Sequence, residues 1–328
     1  MNEVTLRGSH YEMGRLIGKQ LRETGTELPA LNDEQTRYID GLVGQVEGLI
    51  PDLFNEMRGL AEAGGYDERA VYFYALSIGI VSSCTVVAVS GAHTSDGETL
   101  FGRNYDAGPE FGDFTLYRTY PEGGLAHIGC AYDLLVGRED GVNEAGLAIA
   151  VTGVHGHNTD EPGLWDHIPV RAVLDRCGTV DEAVTLLETL PHLWTKNFLV
   201  ADKTGEIAAV GAAQQEVVTT RVESGFGAIT NHFDAPEMCA YCDETEIHAD
   251  SIHRRETAYR WFEAATGSGE RLGRDQLKRL LSTTGDGLRS ELREDFTTVW
   301  SWIASLDERW IELSDRLPEE GSYRECTF

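Results

Sequence analysis

The chain has 328 residues, 41% hydrophobic and 25% charged, which is enough to bury one large core or two modest ones. Its 55 acidic and 27 basic residues give a formal charge of −28. The electrostatic field of this negative charge argues against nucleic acid and anionic membranes as partners, because phosphate binding needs clustered Lys or Arg. We expect a cytoplasmic protein, since the sequence shows neither a signal peptide nor a run approaching the ~20 apolar residues of a membrane helix.

The acidic residues are spread along the whole chain and form no local tail. A folded protein with such an acidic surface is tolerable in multimolar salt, where the Debye length falls to ~3 Å and self-repulsion is screened. We therefore expect adaptation to a salt-loaded cytoplasm, with an ordinary acidic protein as the alternative. The six cysteines are too few for a disulfide scaffold and are expected to be reduced.

The first 80 residues have the periodicity of helices. Residues 8–23 read as a capped helix in which Gly14 and Gly18, four apart, would let another element approach closely. Three further helices are predicted near 34–49, 52–63 and 67–80.

From Cys84 onward the pattern changes to short β-type runs with turns between them. The runs CTVVAVSGAHT and TLFGRN, joined by the turn SDGE, predict a hairpin. Further strands are predicted at FTLYRTYP, LAHIGCAY, DLLVGRED and LAIAVTGV. Residues 166–189 return to helix, the runs NFLVADKTGEIAAVGA and GFGAITNHF to strand, and 250–265 and 274–281 to helix. The pair TTVWSWIA and RWIELSD closes the chain. This order predicts an α+β protein with layers of helix and sheet, in one domain over 1–328.

Cys84, in VSSCTVVAV, is by itself a weak candidate nucleophile, because a single cysteine in apolar surroundings is usually a buried small hydrophobe. Polar residues later in the chain strengthen the case for a catalytic role of Cys84. The segment FGRNYDAGPEF places Arg103 and Asp106 on the partner strand or at its end. In AITNHF a strand ends with Asn231 exposed at its tip, and DSIHRRE puts Arg254 on a helix.

Eight segments, in order and over nearly the whole length, resemble the isopenicillin N acyltransferase family of autoproteolytic enzymes, distant relatives of the choloylglycine hydrolases. They are GSHYEMGRLIG, SCTVVAV, DGETLFGRNYD, GVNEAGLA, NFLVADKTGE, TNHF, DSIHR and TVWSWI. The resemblance implies a four-layer αββα N-terminal-nucleophile hydrolase fold. It also implies self-cleavage of the Ser83–Cys84 bond into a helical pro-segment, 1–83, and a catalytic chain, 84–328, that stay associated.

Cleavage would give Cys84 a free α-amine, whose ordinary pKa of ~7.7–8.0 suits it as base for its own thiol. No histidine is then required. By resemblance, Asp106 would orient this amine, and Arg103 would lower the thiol pKa or hold a substrate carbonyl. Asn231 would donate to the oxyanion, and Arg254 would organise Asp106 or bind a substrate carboxylate. Ser83 departs from the glycine that often precedes the nucleophile in relatives.

The expected activity is hydrolysis or transfer of the acyl group of small N-acyl amino acids or peptides, without a cofactor. Two alternatives remain open. One is an unprocessed thiol hydrolase in which Cys84 pairs with a histidine. The other is a binding protein that keeps the fold without the chemistry.

A second cluster, His232, Cys239, Cys242 and His248, has ligand types that could build a zinc site. Its spacing matches no standard zinc finger, and the first histidine adjoins Asn231. We therefore expect no metal here, and zinc remains an alternative.

Overall fold

The computed structural model describes residues 1–80, 82–108, 113–132, 136–156, 161–242, 246–284, 288–289, 297–316, 318 and 322–328, without the side chains of 246–248. The helices of this part are α1 His10–Glu23, α2 Asp33–Val46, α3 Pro51–Gly64, α4 Glu68–Ser77, α5 His167–Arg176, α6 Val180–Thr189, α7 Glu246–Gly267 and α8 Arg274–Ser282. None of them is long and apolar enough to cross a membrane.

The strands form two sheets. They are β1 Asn2–Gly8, β2 Ser83–Val89, β3 Leu100–Ala107, β4 Thr115–Pro121, β5 His127–Ala131, β6 Asp140–Asn143, β7 Leu147–Gly153, β8 Lys196–Asp202, β9 Ile207–Ala212, β10 Val217–Arg221, β11 Phe226–Ile229, β12 Thr297–Ser305, β13 Trp310–Ser314 and β14 Arg324–Cys326. The first sheet has the order β1-β4-β5-β6-β7-β8-β9-β10, and the second has the order β11-β2-β3-β12-β13-β14.

Four layers result from the way these sheets pack. An apolar core that includes Val86, Ala150 and Trp300 fills the space between the two sheets. Helices α5 and α6 cover the outer face of the first sheet, with α1 to α4 beside them. Helices α7 and α8 cover the outer face of the second sheet. The predicted α+β, αββα architecture is confirmed.

The sequence predicted only helices in the N-terminal region, but the structure also has a strand there. Residues Asn2–Gly8 form β1, which pairs in parallel with β4 at the edge of the first sheet. Ser9 then caps α1 with a capping box. Its side-chain oxygen accepts from the backbone N–H of Glu12, and the Glu12 carboxylate accepts from the backbone N–H of Ser9. Helix α1 therefore starts two residues later than the 8–23 range predicted from sequence.

The close approach expected at Gly14 and Gly18 is confirmed. A Cβ at Gly14 would lie 1.8 Å from the carbonyl oxygen of Glu56, and one at Gly18 would lie 2.3 Å from that of Leu60. Both contacts fall on α3, so α1 and α3 pack backbone to backbone.

The hairpin predicted after residue 83 is confirmed as β2 and β3, with Ser83 opposite Asp106 and Cys84 opposite Tyr105. Side chains alternate along a strand. Cys84 and Tyr105 therefore face the core between the sheets, where both are buried. Ser83 and Asp106 face the opposite side, toward the helices on the second sheet.

Several element boundaries differ from the sequence prediction. The segment DLLVGRED contributes only Asp140 to strand β6, and residues 133–135 lie outside the described part. Short strands β10 and β14 were not predicted, because each is an exposed or three-residue edge with little apolar periodicity. The two late strands were predicted correctly and form β12 and β13.

Candidate active site

Cys84 is the second residue of β2 and is fully buried, with 0% of its surface exposed. Its Sγ accepts a hydrogen bond from Arg103 Nη2 at 3.1 Å and lies 3.4 Å from Ser82 Oγ. Ser83 and Thr85 on either side are also buried, so the thiol has no exposed surface in the described part of the chain.

Arg103 is carried by β3 and points into the same core as Cys84. Its Nη1 donates to the carbonyl oxygen of Glu139 at 2.7 Å and to Asp140 Oδ2 at 2.8 Å. Asp140 also accepts from the Trp300 indole at 3.0 Å, so the guanidinium is held from one side and touches the thiol with the other. Asp140 was missed from sequence, because nothing in GREDGVNEAGL distinguishes it from a turn carboxylate.

Asp106 lies opposite Ser83 in the hairpin and is fully buried. Its Oδ1 accepts from Thr298 Oγ1 at 2.5 Å, and its Oδ2 has no hydrogen-bond partner within the described part of the chain. Burial raises the pKa of Asp106 to about 6, although the nearby charge of Arg254 acts in the opposite direction. An acceptor without a partner in the described chain therefore lies across the hairpin from Ser83, the residue before the Ser83–Cys84 bond, which is called the junction from here on.

Asn231 follows β11 and is only 2% exposed, so the expectation of an exposed side chain was wrong. Its Oδ1 accepts from the backbone N–H of Cys84 at 3.0 Å, and its Nδ2 donates to the carbonyl oxygens of Ser82 at 3.3 Å and Gly153 at 2.7 Å. The side-chain amide thus contacts the main chain on both sides of the Ser83–Cys84 bond.

Arg254, on α7, reaches the same bond. Its Nη1 donates to the carbonyl oxygen of Cys84 at 2.7 Å, and its Nη2 donates to Ser83 Oγ at 3.0 Å and Asn231 Oδ1 at 2.8 Å. Its Nε pairs with Asp250 at 2.6 Å. The guanidinium is 3% exposed and its donors are occupied, so in this chain it organises the junction and holds no free position for a substrate carboxylate.

The charge state of Cys84 follows from this setting. Burial raises the pKa of its thiol, and the charge of Arg103 opposes that rise without cancelling it. Arg103 thus lowers the pKa of the thiol, as expected, but burial raises that pKa by more. Among histidines whose side chains are described, none hydrogen-bonds to Sγ. His232 instead meets Ser251 Oγ at 2.7 Å and Thr230 Oγ1 at 3.1 Å.

A cleft of about 440 Å³ lies between α1, α4, the edge strand β1 and its neighbour β4. Its lining includes Val4, Tyr74 and Tyr117 and ends at Ile78, five residues before Ser83. Among the described residues, Ile78 is one of three large hydrophobic side chains exposed on the surface. The segment that leads into the junction therefore starts at an apolar surface cleft.

The zinc site considered at His232, Cys239, Cys242 and His248 is not formed by those of its side chains that the structure describes. His232, Cys239 and Cys242 border one cavity, but their ligand atoms do not lie within 4.8 Å of one another as a group. Cys239 Sγ and Cys242 Sγ instead approach the backbone of Phe233. The side chain of His248 lies outside the described residues.

Comparison with known proteins identifies the family. A sequence model for acyl-coenzyme A:6-aminopenicillanic acid acyl-transferase matches residues 93–306, well over half of the chain. The chain belongs to this family. The match covers Arg103, Asp106, Asn231 and Arg254, and it begins nine residues after Cys84. No curated protein sequence matches the chain significantly.

Solved structures share the family's fold. A mutant of conjugated bile acid hydrolase from Clostridium perfringens is 14% identical, with a TM-score of 0.53 over 75% of this chain and 92% of its own. The N-acylethanolamine-hydrolyzing acid amidase ortholog of Caenorhabditis elegans is 18% identical, with a TM-score of 0.51 over 75% of this chain and all of its own. At these identities the likeness concerns architecture, and it confirms the N-terminal-nucleophile hydrolase fold.

Proposed function

We propose that this member of the family is a self-processing cysteine amidohydrolase or acyl-transferase that cuts the Ser83–Cys84 bond and then uses Cys84 to form an acyl-enzyme. One observation carries the proposal. The amide of Asn231 binds the N–H of Cys84 and the carbonyl of Ser82, while Arg254 binds the carbonyl of Cys84. Two side chains from distant segments thus fix the peptide bond that precedes a buried thiol.

Processing needs only this chain and water. The Cys84 sulfur attacks the carbonyl carbon of Ser83, the C–N bond to Cys84 breaks, and the nitrogen takes up the thiol proton. The product is a thioester between Ser83 and the Cys84 side chain. Water then hydrolyses the thioester, which leaves a carboxylate on Ser83 and a free thiol and α-amine on Cys84.

The new amine makes Cys84 self-sufficient. An α-amine has an ordinary pKa of ~7.7–8.0, so at neutral pH a usable fraction is neutral and can accept the thiol proton. Asp106 Oδ2, which has no partner among described residues, is available to accept a hydrogen bond from this amine. Arg103 stays against the sulfur and favours the thiolate that attacks the substrate.

The oxyanion site also follows from the intact chain. Asn231 Nδ2 now donates to the Ser82 carbonyl, which therefore occupies the position that a substrate carbonyl would take. When the cut end of the segment before Cys84 moves out of the site, this donor is freed beside the sulfur. Asn231 would then stabilise the tetrahedral intermediate formed on Cys84.

Small N-acyl amino acids or peptides are the proposed substrates, and water or an amine is the proposed acceptor of the acyl group. The fragment 1–83 is the proposed permanent partner of 84–328, and catalysis itself uses no metal. We retain the cytoplasmic location and the adaptation to high salt as parts of the proposal, since all six cysteines are free in the structure and the chain is strongly acidic.

Intact-mass spectrometry of the wild-type chain and Cys84→Ala tests the proposal. The wild type should give two fragments that separate only in denaturant, of roughly 9 and 27 kDa at ~110 Da per residue. Cys84→Ala should stay one chain and lack amidase activity. Cys130→Ala, which removes another buried thiol from the same core, is the matched control and should process normally.

Two results would each favour an alternative. Full amidase activity in a wild-type chain that remains uncut, lost in His232→Gln, would indicate a thiol hydrolase with a histidine base. An uncut wild-type chain whose Cys84 resists iodoacetamide and which cleaves no amide would indicate a binding protein.

A further inference from the structure

Three buried side chains lie close together near the last turn of α4. Glu139 immediately precedes β6, Asp166 precedes α5, and His167 is the first residue of α5. Each offers one ligand atom, these atoms all lie within 4.8 Å of one another, and none of the three residues is more than 6% exposed. No role in the proposed chemistry uses them.

Each member of this cluster has a polar atom without a partner in the described structure, namely Glu139 Oε1, Asp166 Oδ1 and His167 Nδ1. The His167 ring supplies independent evidence. Its Nε2 lies 2.8 Å from the carbonyl oxygen of Ala75, which can only accept, so the ring proton is on Nε2 and Nδ1 carries a lone pair. Metal-bound histidines have this arrangement, with the second nitrogen donating to a backbone carbonyl.

The two carboxylates of the cluster lie close together without a direct ion pair among the described residues. Lys196 is buried nearby, but its Nζ donates to the carbonyl oxygen of Leu164 at 3.2 Å, and it forms no ion pair with either carboxylate among the described residues. Two buried carboxylates at this separation repel each other strongly in a low-dielectric interior.

We propose that Glu139, Asp166 and His167 bind one divalent transition-metal cation, of which Zn²⁺ and Mn²⁺ suit a set of two carboxylate oxygens and one imidazole nitrogen. Three protein ligands leave a position for water, as in other sites of this ligand class. The all-oxygen sets that Mg²⁺ and Ca²⁺ prefer differ from this one.

The ion would have a structural role, because its ligands are tied to both sides of the candidate active site. His167 holds the carbonyl of Ala75 in the last turn of α4, which leads into the junction. The carbonyl oxygen of Glu139 accepts from Arg103, whose other nitrogen contacts the sulfur of Cys84. Metal binding would therefore stiffen the segment before the cleavage site and the arginine behind it.

Metal content of the full-length chain is the test, measured by plasma mass spectrometry after dialysis against Zn²⁺ or Mn²⁺ and then metal-free buffer. We expect one ion per chain for Cys84→Ala and for the wild type, and at least a tenfold loss in Glu139→Gln, Asp166→Asn and His167→Gln. His192→Gln is the matched control. His192 is equally buried and donates from Nε2 to the Leu187 carbonyl, yet it lies in no cluster of potential ligands in the described chain.

A folded Cys84→Ala chain that holds less than about a tenth of an equivalent of either metal would show that the cluster binds water only, and would overturn the inference. So would metal that is lost in Cys239→Ser with Cys242→Ser and kept in Glu139→Gln. Thermal unfolding with and without Zn²⁺ gives a second readout, because a variant that folds but has lost the site should show no shift in Tm. None of these outcomes depends on whether self-cleavage occurs.

Discussion

Glu56 on α3 and Arg171 on α5 form a fully buried ion pair with Nη2 and Oε2 2.9 Å apart, and the predicted cleavage site lies between them in the chain. Arg171 also pairs with Asp175, and His10 contacts Glu56 at 2.9 Å. Burial disfavours a charge on His10, yet the hydrogen bond that His10 donates to Glu56 and the charge of Asp175 raise the pKa of His10 overall. The network joins the 1–83 region to the rest of the protein.

Glu56→Gln should therefore weaken the attachment of fragment 1–83. Removing one partner of a buried pair leaves the other uncompensated and typically costs about 3–5 kcal/mol. Urea unfolding of the Cys84→Ala chain measures the loss, and copurification of the fragments measures attachment. Glu62→Gln is the control. Glu62 lies on the exposed side of the same helix, α3, and pairs with Arg15 of α1, so removing this ion pair should change stability little. Equal effects of the two substitutions would contradict the interpretation.

Asn231→Asp keeps the shape of the side chain but removes the donor that we assign to the oxyanion. The kcat of processed enzyme should fall by about 10²–10³, with a smaller change in KM. Rates are expressed per titrated Cys84 thiol, so that folding losses are separated from catalysis. Asn197→Asp is the control, because Asn197 makes comparable buried bonds to the carbonyls of Thr230 and His232. A similar fall in both variants would argue against an oxyanion role.

Asp106→Asn should change the pH dependence of stability. The pKa of Asp106 is raised to about 6 in the folded chain, so its protonated form stabilises the fold at low pH and that contribution is lost as pH rises through about 6. Relative to Cys84→Ala, the double variant with Asp106→Asn should gain about 2 kcal/mol on going from pH 4 to pH 8. Urea unfolding at both values measures it.

The same substitution in the active chain should lower kcat strongly. Asn has a single acceptor oxygen, which the Thr298 hydroxyl uses, and it offers an NH2 donor toward the α-amine. Asp52→Asn, on the exposed surface of α3, is the matched control for loss of a charge. In the stability experiment, a difference in unfolding free energy between the Asp106→Asn variant and its parent that does not change with pH would show that the carboxyl of Asp106 titrates normally.

Salt should govern the stability of the processed protein. Residues 1–83 contain 13 acidic and 7 basic side chains, and 84–328 contain 42 and 20, so both fragments are negative and repel each other. The Tm of the processed enzyme should rise between 0.1 and 1 M KCl, as the Debye length falls from ~10 to ~3 Å. Sucrose at equal osmolality tests for a general solute effect. If it raised Tm as much as KCl does, charge screening would not be the cause.

The sequence predicted the parts of the site that depend on local pattern, and missed those that depend on distant packing. The β2–β3 hairpin follows from turn chemistry, and it places Arg103 and Asp106 near Cys84. Their spacing of three residues puts them on opposite faces of β3, so Arg103 meets the sulfur while Asp106 lies on the side of Ser83. The residues near Asn231 gave no sign of its burial, because α7 and β7 cover it from elsewhere in the chain.

Asp140 and β1 show the same limit of prediction from local sequence pattern. Asp140 fixes Arg103 only because β6 stacks opposite β3 across the core between the sheets, a relation that no local pattern records. The run NEVTLRG has exposed residues on much of its length, and it becomes a strand by pairing with a segment more than 100 residues away. Propensity and periodicity carry no information about such partners.

The parallel pairing of β1 with β4 has a consequence for how the enzyme can be made. If 84–328 were synthesised alone, the backbone N–H and C=O groups of Thr115–Pro121 that now face β1 would be unpaired. Such an open border recruits strands from other molecules. Insoluble material, rather than a soluble but inactive protein, is the expected product of that truncation, and coexpression of 1–83 in trans should restore solubility by supplying the missing strand.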